Sequence, residues 1–330
     1  MSNEDNKNPS KEAEEGVRSP ERRRLIGASL GAAAIGGMAM MGSRSAHAQG
    51  VDLPDMPTKD WRTLQPGPYD TNMYAETTGI PEDGKTTWWE GRNMGGVSIG
   101  IVRFQANLPM IPGNMGNATT FDFPVVYVEG RYKNAADIMA PEPTKDFTDA
   151  TVEACQWLEL QGVRAITTNC GFYATYQNAV QERINVPFYS SSLVQLPMMV
   201  TSTPKGKKVG VLTANGALLK RGGTLPYSGL TKEQIARVEV EGLEVDEAFN
   251  EVLGLSGALD PYVVEQSLLG GIERLMKREP NLGCILLECT ELAPSARAVQ
   301  EMAKLPVWDF TTLTDWMYSG AVRRNFTGHI

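Results

Sequence analysis

The sequence predicts an α/β protein made of two pseudo-symmetric, three-layer lobes with parallel sheets and an active-site cleft between the lobes. From GGVSIGIVRF onward, short β-rich runs alternate with helical patterns, which is typical of a mostly parallel sheet. Two distant stretches, WLELQGVRAITTNCGF and KREPNLGCILLECTELAP, share the order helix end, glycine, apolar strand and polar cluster. Both polar clusters should lie at the carboxyl ends of parallel strands, where such sheets bind ligands.

Strands and helices can be placed along the chain from the apolar patterns. Strands are predicted at 97–104, 125–128, 163–167, 208–212, 237–240, 283–287 and 307–310, and helices at 145–160 and 261–278. Asp260 suits a helix N-cap and Pro261 a first helical turn. Gly162 suits the C-cap of the first helix, and Gly283 suits the turn into a strand.

The first 48 residues are predicted to be an export signal, cleaved near Ala48, that resembles the twin-arginine type. An arginine cluster, Arg22–Arg24, precedes a weakly apolar run rich in glycine and alanine and then a small-residue site. We therefore expect recognition by the twin-arginine export machinery and a location in the periplasm. An uncleaved membrane anchor is the alternative, but the run falls short of the ~20 apolar residues that a spanning helix needs.

The remaining chain divides into an arm and two lobes. Residues 49–94 are rich in Pro, Gly, Asp and Thr but carry Trp61, Trp88 and Trp89, so they are predicted to form an extended arm lying on the body of the protein. The first lobe is predicted to comprise residues 95–200 with 308–330. The second lobe is predicted to comprise residues 201–307.

Histidine is scarce, which narrows the chemistry. The chain of 330 residues has 2 histidines, and one of them, His47, lies in the predicted signal. Hydrolases of the Ser-His-Asp and Cys-His types and most catalytic zinc sites require histidine, so these classes are excluded. The net charge of -8, without a basic stripe, also argues against nucleic-acid binding. Acid–base chemistry must use Cys, Asp, Glu, Lys or Tyr.

Two cysteine-containing motifs, TTNCGF and LLECTEL, resemble the aspartate/glutamate racemase superfamily. The segments IGIVRFQANLPMIPGNMGNATTFDFPV, KKVGVLTANGALL and LPVWDFTTLTDW are similar to the opening strand and loop, the start of the second lobe and the closing segment of racemase-like members. The resemblance covers most of residues 95–320, and the Cys-Thr-Glu-Leu element is its most specific part.

The resemblance implies a PLP-independent isomerase, namely a racemase or epimerase of an amino acid or related α-substituted carboxylate. One thiolate would remove the α-proton, and a thiol of the other lobe would return a proton to the opposite face. A 1,1-proton transfer needs two such groups, and cysteine serves once its pKa is lowered. No metal or organic cofactor is expected, and the expected partner is a small carboxylate substrate.

Other functions stay open beside the racemase. A mechanism with one cysteine would suit a decarboxylase or a cis–trans isomerase of a diacid. A protein that kept the cleft and lost catalysis would be a periplasmic small-anion binding protein. The sequence leaves a homo-oligomer open as well.

The resemblance implies that Cys170 and Cys289 are the catalytic thiols. Glu291, two residues after Cys289, either orients or deprotonates a thiol or caps the next helix. The groups predicted to bind substrate are hydroxyls and amides at strand ends and in loops: Thr168, Asn169, Thr290, Asn114, Thr213 and Asn215. Each of these also suits a turn or a cap. Arg103 either pairs with a substrate carboxylate or forms a surface salt bridge.

The register of the two motifs differs when it is counted from the preceding glycine. Cys289 lies six residues after Gly283, whereas six residues after Gly162 is Thr168. We therefore expect Thr168 to occupy the place of the thiol and Cys170 to reach the cleft from two positions further along.

The other two cysteines are predicted to be buried in the core. Cys155 lies within the first helix, and Cys284 faces away from Cys289 because their odd spacing puts them on opposite faces of a strand. Disulfide bonding is the alternative, since the periplasm is oxidising and the number of cysteines is even. A Cys170–Cys289 bond formed on oxidation would inactivate the enzyme.

Overall fold

The computed structural model describes residues 94–105, 108–220, 224–253, 257–326 and 329, without the side chains of 251–253. All of these residues fall within one compact unit, Asp60–Ile330. The predicted export signal, residues 1–48, and the predicted arm, except Met94, lie outside the described residues. No helix of the described part is long and apolar enough to cross a membrane.

Two four-stranded parallel sheets form the framework. The first contains β1 (Ile99–Arg103), β2 (Val125–Glu129), β3 (Ala165–Thr168) and β4 (Phe188–Tyr189), and the second contains β5 (Lys208–Thr213), β6 (Val238–Gly242), β7 (Leu282–Leu287) and β8 (Val307–Trp308). The strand orders are β2-β1-β3-β4 and β6-β5-β7-β8, and every pairing is parallel. The two sheets thus repeat one topology, which confirms the predicted α/β fold.

At least one α-helix follows each strand from β2 to β8, in the chain order expected of crossover connections, whereas a short 3₁₀ helix, Ala118–Thr120, lies between β1 and β2. The α-helices are α1 (Lys145–Gln161), α2 (Gln177–Gln181), α3 (Leu196–Ser202), α4 (Gly216–Lys220), α5 (Lys232–Ile235), α6 (Glu247–Leu253), α7 (Pro261–Arg278), α8 (Ala296–Ala303) and α9 (Phe310–Ala321). Short 3₁₀ helices, including Gly171–Tyr176 and Thr290–Ser295, begin just after β3 and β7.

The predicted boundaries of α7 are confirmed. Asp260 caps it, because its carboxylate accepts hydrogen bonds from the backbone N–H groups of the second and third helical residues. One apolar face is buried through Val264, Leu268, Ile272 and Leu275, and each such side chain contributes about 1.5–3 kcal/mol to folding. β4, a strand of two residues, was not predicted.

The apolar core is continuous between the sheets. One cluster joins residues of β1 and β3, such as Val102 and Ile166, to residues of β5 and β7, such as Val211 and Leu286. Phe310 of α9 packs in another cluster against the opposite face of the first sheet. The sheets are therefore held by shared packing, with the carboxyl ends of β3 and β7 available to form a site.

Candidate active site

Cys170 and Cys289 occupy equivalent positions in the two sheets. Thr168 ends β3 and Leu287 ends β7, and each thiol stands two residues further along. Each cysteine is the N-cap of a 3₁₀ helix, with extended backbone. Both are partly exposed. The internal repeat seen in the sequence is therefore a structural repeat.

The expected register, with Thr168 in the place of a thiol, is wrong. Gly162 is the C-cap of α1, with φ 92°, and two residues separate it from β3. Gly283 was expected in the turn before β7, but it lies within that strand. The two glycines are thus not equivalent, so a count from them misplaces the thiol. Counting from the strand ends aligns Cys170 with Cys289.

Cys289 is paired with a carboxylate. Its Sγ donates a hydrogen bond to Glu291 Oε2 at 2.8 Å. Burial raises the pKa of Glu291, and the contacts of this carboxylate with Cys289 and with the Asn114 side chain lower it in part. Burial, followed by the charges of Glu291 and Glu288, raises the pKa of the Cys289 thiol well above its usual value. The pair has the arrangement of a nucleophile or base beside its proton acceptor.

The residue two positions after Cys170 differs from the one two positions after Cys289. Phe172 stands where Glu291 stands in the other motif, and its backbone N–H lowers the pKa of the Cys170 thiol in part. No carboxylate of the described chain forms a hydrogen bond with this sulfur. Burial raises the pKa of Cys170, and the charge of Glu288 raises it further.

Glu288, which sequence reasoning missed, lies beside both thiols. Its side chain is fully buried, and Thr213 Oγ1 donates to its Oε2 at 2.7 Å. Its Oε1 has no hydrogen-bond partner among the described residues. Burial raises the pKa of Glu288 to about 7, with a further increase from Glu291 and a decrease from Thr213. The available signal was a charged residue at the end of an otherwise apolar strand, LGCILL.

Three of the predicted substrate-binding residues lie in this cluster. Thr213 holds Glu288, and Asn114 contacts Glu291. Thr290 Oγ1 accepts a hydrogen bond from the Met115 backbone N–H at 3.1 Å, which leaves its own hydroxyl proton free to donate.

The side chains of the other three predicted residues form hydrogen bonds with backbone groups instead. Asn169 Oδ1 accepts from the Phe104 N–H at 2.6 Å, and its Nδ2 donates to the carbonyl of the same residue. Thr168 Oγ1 donates to the Ser190 carbonyl at 2.6 Å. Asn215 Oδ1 accepts from the N–H of Leu218 in α4. Their side-chain groups are therefore used to fix loops and a helix end.

The remaining predicted residues lie away from this chemistry. Cys155 and Cys284 are buried, and all four cysteines are free thiols. Arg103 Nη1 lies 3.7 Å from Glu129 Oε1 in a partly exposed ion pair. No group of three or more potential metal ligands occurs in the described part of the chain.

A cavity of about 310 Å³ reaches Glu291. It is mostly apolar and contains a second carboxylate, and its lining includes Ile111, Pro112, Leu259, Tyr262, Glu265 and Pro294. Two larger cavities, of about 560 and 570 Å³, are lined by neither site thiol. Glu291 therefore connects the Cys289 thiol to a space that small molecules or water can enter.

Comparison with known proteins gives curated relatives but no family model that matches. Dimethylsulfoniopropionate lyase 5 of Emiliania huxleyi (strain CCMP1516) is 29% identical over 68% of this chain and 45% of its own length. Dimethylsulfoniopropionate lyase 7 of the same strain is 28% identical over 65% of this chain and 64% of its own length. A dimethylsulfoniopropionate lyase of Durusdinium sp. clade D is 27% identical over 72% of this chain and 82% of its own length.

The curated relatives are lyases. The chain spans about half the length of the first of them. The predicted racemase or epimerase function is wrong, since the curated relatives are named as lyases and not as isomerases. The names of these relatives also differ from the decarboxylase, diacid isomerase and binding-protein alternatives. The prediction that the protein is an enzyme is confirmed, but the prediction that it is an isomerase is not.

Solved structures with a similar fold include racemases and a decarboxylase. A variant of arylmalonate decarboxylase is 16% identical, with a TM-score of 0.48 over 70% of this chain and 96% of its own. An allantoin racemase of Pseudomonas fluorescens is 16% identical, with a TM-score of 0.46 over 68% and 91%. An aspartate racemase homologue of Pyrococcus horikoshii OT3 is 17% identical, with a TM-score of 0.44 over 68% and 98%. These neighbours have the aspartate/glutamate racemase-like fold, the group that the motifs resemble.

Proposed function

We propose that this enzyme is a lyase that cleaves dimethylsulfoniopropionate by β-elimination. The curated relatives supply the substrate, since they bear its name. The observation that carries the proposal is the difference between the two thiols. Cys289 has a carboxylate partner at 2.8 Å, whereas the equivalent neighbour of Cys170 is Phe172.

A site in which one thiol has a carboxylate partner suits an elimination better than a racemisation. A racemase needs an acid and a base on opposite faces of one carbon. An elimination needs a single base, because the proton is removed and the product receives none in return. We assign the base to Cys289 and its proton acceptor to Glu291.

The proposed step balances as follows. The Cys289 thiol passes its proton to Glu291, and the resulting thiolate takes a proton from C2, next to the substrate carboxylate. The C2–H electrons form the C2=C3 double bond. The C3–S bond breaks, and its electrons stay on sulfur, which leaves as neutral dimethyl sulfide. The remaining product is acrylate.

The pKa of the Cys289 thiol is raised, not lowered as was expected of a catalytic cysteine, but a raised pKa also suits a base. A proton next to a carboxylate is weakly acidic, so a strongly basic thiolate removes it more readily than a weakly basic one. The adjacent Glu291 compensates for the small fraction of thiolate by accepting the thiol proton locally. Since Glu291 also lines the 310 Å³ cavity, it can release that proton to water.

Other residues of the cluster have supporting roles in the proposal. The free hydroxyl proton of Thr290 is available to the substrate carboxylate. Asn114 holds Glu291 in place. Cys170 forms part of the wall of the site and is not needed as a second base.

The test is product formation by the purified protein. Dimethylsulfoniopropionate is added, dimethyl sulfide is measured by gas chromatography of the headspace, and acrylate is measured by liquid chromatography. The proposal predicts that the two products form in a 1:1 ratio. The absence of dimethyl sulfide at high enzyme concentration would refute the proposal.

A further inference from the structure

We propose that Glu288 selects substrates whose leaving group carries a positive charge, by supplying the negative charge that this onium group faces. The inference rests on the proposed function, because it concerns the same site and deepens its substrate class. It assigns a specificity-determining role to a residue that precedes the thiol base in the chain.

The first observation is an unsatisfied carboxylate oxygen. Glu288 is fully buried, yet its Oε1 has no partner in the part of the chain that the structure describes. No described Lys, Arg or His pairs with this carboxylate; its polar contact is the Thr213 hydroxyl. Burying an unpaired carboxylate costs several kcal/mol. A buried charge of this kind, in a cluster of reactive groups, indicates a partner brought by the substrate.

The second observation is the position of this charge. Glu288 directly precedes Cys289 in the chain, and its charge raises the pKa of both thiols, Cys170 and Cys289. Its Oε1 also lies against Gly171, where an added Cβ would be only 1.8 Å away. In the proposed substrate, the onium sulfur is bonded to C3, the neighbour of the carbon that loses its proton. A charge close to the base is therefore close to the onium sulfur.

The third observation is the balance of charge in the cluster. Among the described residues, the titratable groups that face Glu288 are Glu291 and the thiols Cys170 and Cys289, and all of them are neutral or negative. Glu291 is occupied by the Cys289 thiol and by Asn114. A substrate carrying only a carboxylate would be repelled, whereas an onium carboxylate brings one compensating positive charge. The free oxygen of Glu288 is the group left to meet that charge.

This role has a kinetic signature. The onium charge disappears as the C–S bond breaks, so its attraction to Glu288 is strong in the bound substrate and weaker in the transition state. An interaction of this kind lowers KM without raising kcat. Glu288→Gln should therefore raise KM for dimethylsulfoniopropionate about tenfold or more and leave kcat within about threefold.

The experiment separates recognition from turnover by using two ligands that do not react. The first is 3-(trimethylammonio)propionate, which keeps a permanent positive charge but has a poor leaving group. The second is 4-methylpentanoate, the uncharged isostere of dimethylsulfoniopropionate. Calorimetry with the full chain measures the dissociation constant of each ligand for wild type, Glu288→Gln, Glu288→Asp and the surface variant Glu301→Gln, with thermal melting to verify folding.

At pH 8, above the pKa of about 7 that burial gives Glu288, the wild type should bind the ammonium ligand at least about tenfold more tightly than the uncharged one. Glu288→Gln should abolish this preference, Glu288→Asp should keep part of it, and Glu301→Gln should keep all of it. Equal binding of the two ligands by the wild type would overturn the inference, and so would a preference that survives in folded Glu288→Gln.

The result also distinguishes the inference from the proposed function. Release of dimethyl sulfide without any preference for the ammonium ligand would support the lyase and overturn the role of Glu288. A preference that depends on Glu288, without release of dimethyl sulfide, would support onium selection and overturn the lyase.

Discussion

The two strand ends that carry the thiols share one backbone geometry and differ in their side chains. After β3 the chain reads Asn169, Cys170, Gly171, Phe172, and after β7 it reads Glu288, Cys289, Thr290, Glu291. Both cysteines cap 3₁₀ helices. The repeated fold therefore fixes where the thiols lie, and the residues one before and two after each thiol set what it can do.

The residue before each thiol illustrates the difference. Asn169 ties the end of β3 to the backbone of Phe104 through two hydrogen bonds, which stabilises the fold. Glu288, at the same place after β7, leaves a buried carboxylate oxygen without a partner in the described part of the chain, which costs stability. One end of the repeat is thus used for structure and the other retains a costly group suited to binding.

The largest effect should come from replacing each thiol in turn. Cys289→Ser removes the proposed base, so kcat should fall by about 10⁴-fold. Cys170→Ser removes only a wall of the site, so kcat should fall by less than about tenfold. Release of dimethyl sulfide from dimethylsulfoniopropionate measures both values. Losses of equal size would show that the two ends are functionally alike.

The next effect concerns the carboxylate that only one thiol has. Glu291→Gln keeps the size of the side chain but cannot accept the proton of Cys289, so kcat should fall by about 10³-fold. Glu301→Gln, a change in an exposed carboxylate of α8, is the matched control and should leave kcat unchanged. A Glu291→Gln enzyme with wild-type kcat would contradict the assigned acceptor.

A smaller effect should appear in stability against pH. Burial raises the pKa of Glu288 to about 7 from its usual 4.5, so between these values the folded state binds the proton that the unfolded state has lost. The stability due to the protonated form is full below pH 4.5 and declines as pH rises through 7. The free energy of unfolding of the wild type should therefore fall by about 3 kcal/mol relative to Glu288→Gln between pH 4 and 8.

Urea unfolding at a series of pH values measures this difference. The charged and titratable groups that face Glu288, namely Glu291, Cys170 and Cys289, are present in both proteins, so their own titration largely cancels in the comparison. A wild type and a Glu288→Gln variant whose curves run parallel from pH 4 to 8 would show that Glu288 is not titrating as described.

The smallest effect concerns the contact between the two strand ends. In Gly171→Ala, the added Cβ would lie 1.8 Å from Glu288 Oε1 and 2.7 Å from its backbone oxygen, so stability should fall by about 2 kcal/mol. Gly320→Ala, where nothing lies within 4 Å, is the control and should not destabilise. The loss should shrink when Gly171→Ala is made in a Glu288→Ala background, and an unchanged loss would contradict the contact.

The sheet framework was predictable from the sequence because buried parallel strands read as apolar runs between helical patterns. The boundaries of α7 were predictable for a local reason, since Asp260 and Pro261 mark its beginning. Cys289 and Glu291 were found together because they follow one such strand in a single motif. Features of this kind depend on residues that are close in the sequence, so they can be predicted without knowledge of tertiary contacts.

What could not be predicted depends on contacts between distant segments. The equivalence of Cys170 and Cys289 is set by where β3 and β7 end, and the preceding glycines gave a misleading count. Asn169 looked like a substrate ligand, but its side chain is used by Phe104, 65 residues earlier in the chain. The importance of Glu288 depends on its burial between Thr213 and Gly171, which periodicity does not reveal.

The most direct test of the central claim, that one of two equivalent thiols acts as the base, uses dimethylsulfoniopropionate carrying one deuterium at C2 in either configuration. A single base on one face removes one of the two C2 hydrogens. Mass spectrometry of the acrylate should therefore show deuterium lost from one enantiomer and retained from the other. Equal loss from both enantiomers would mean that both thiols remove protons and would contradict the account.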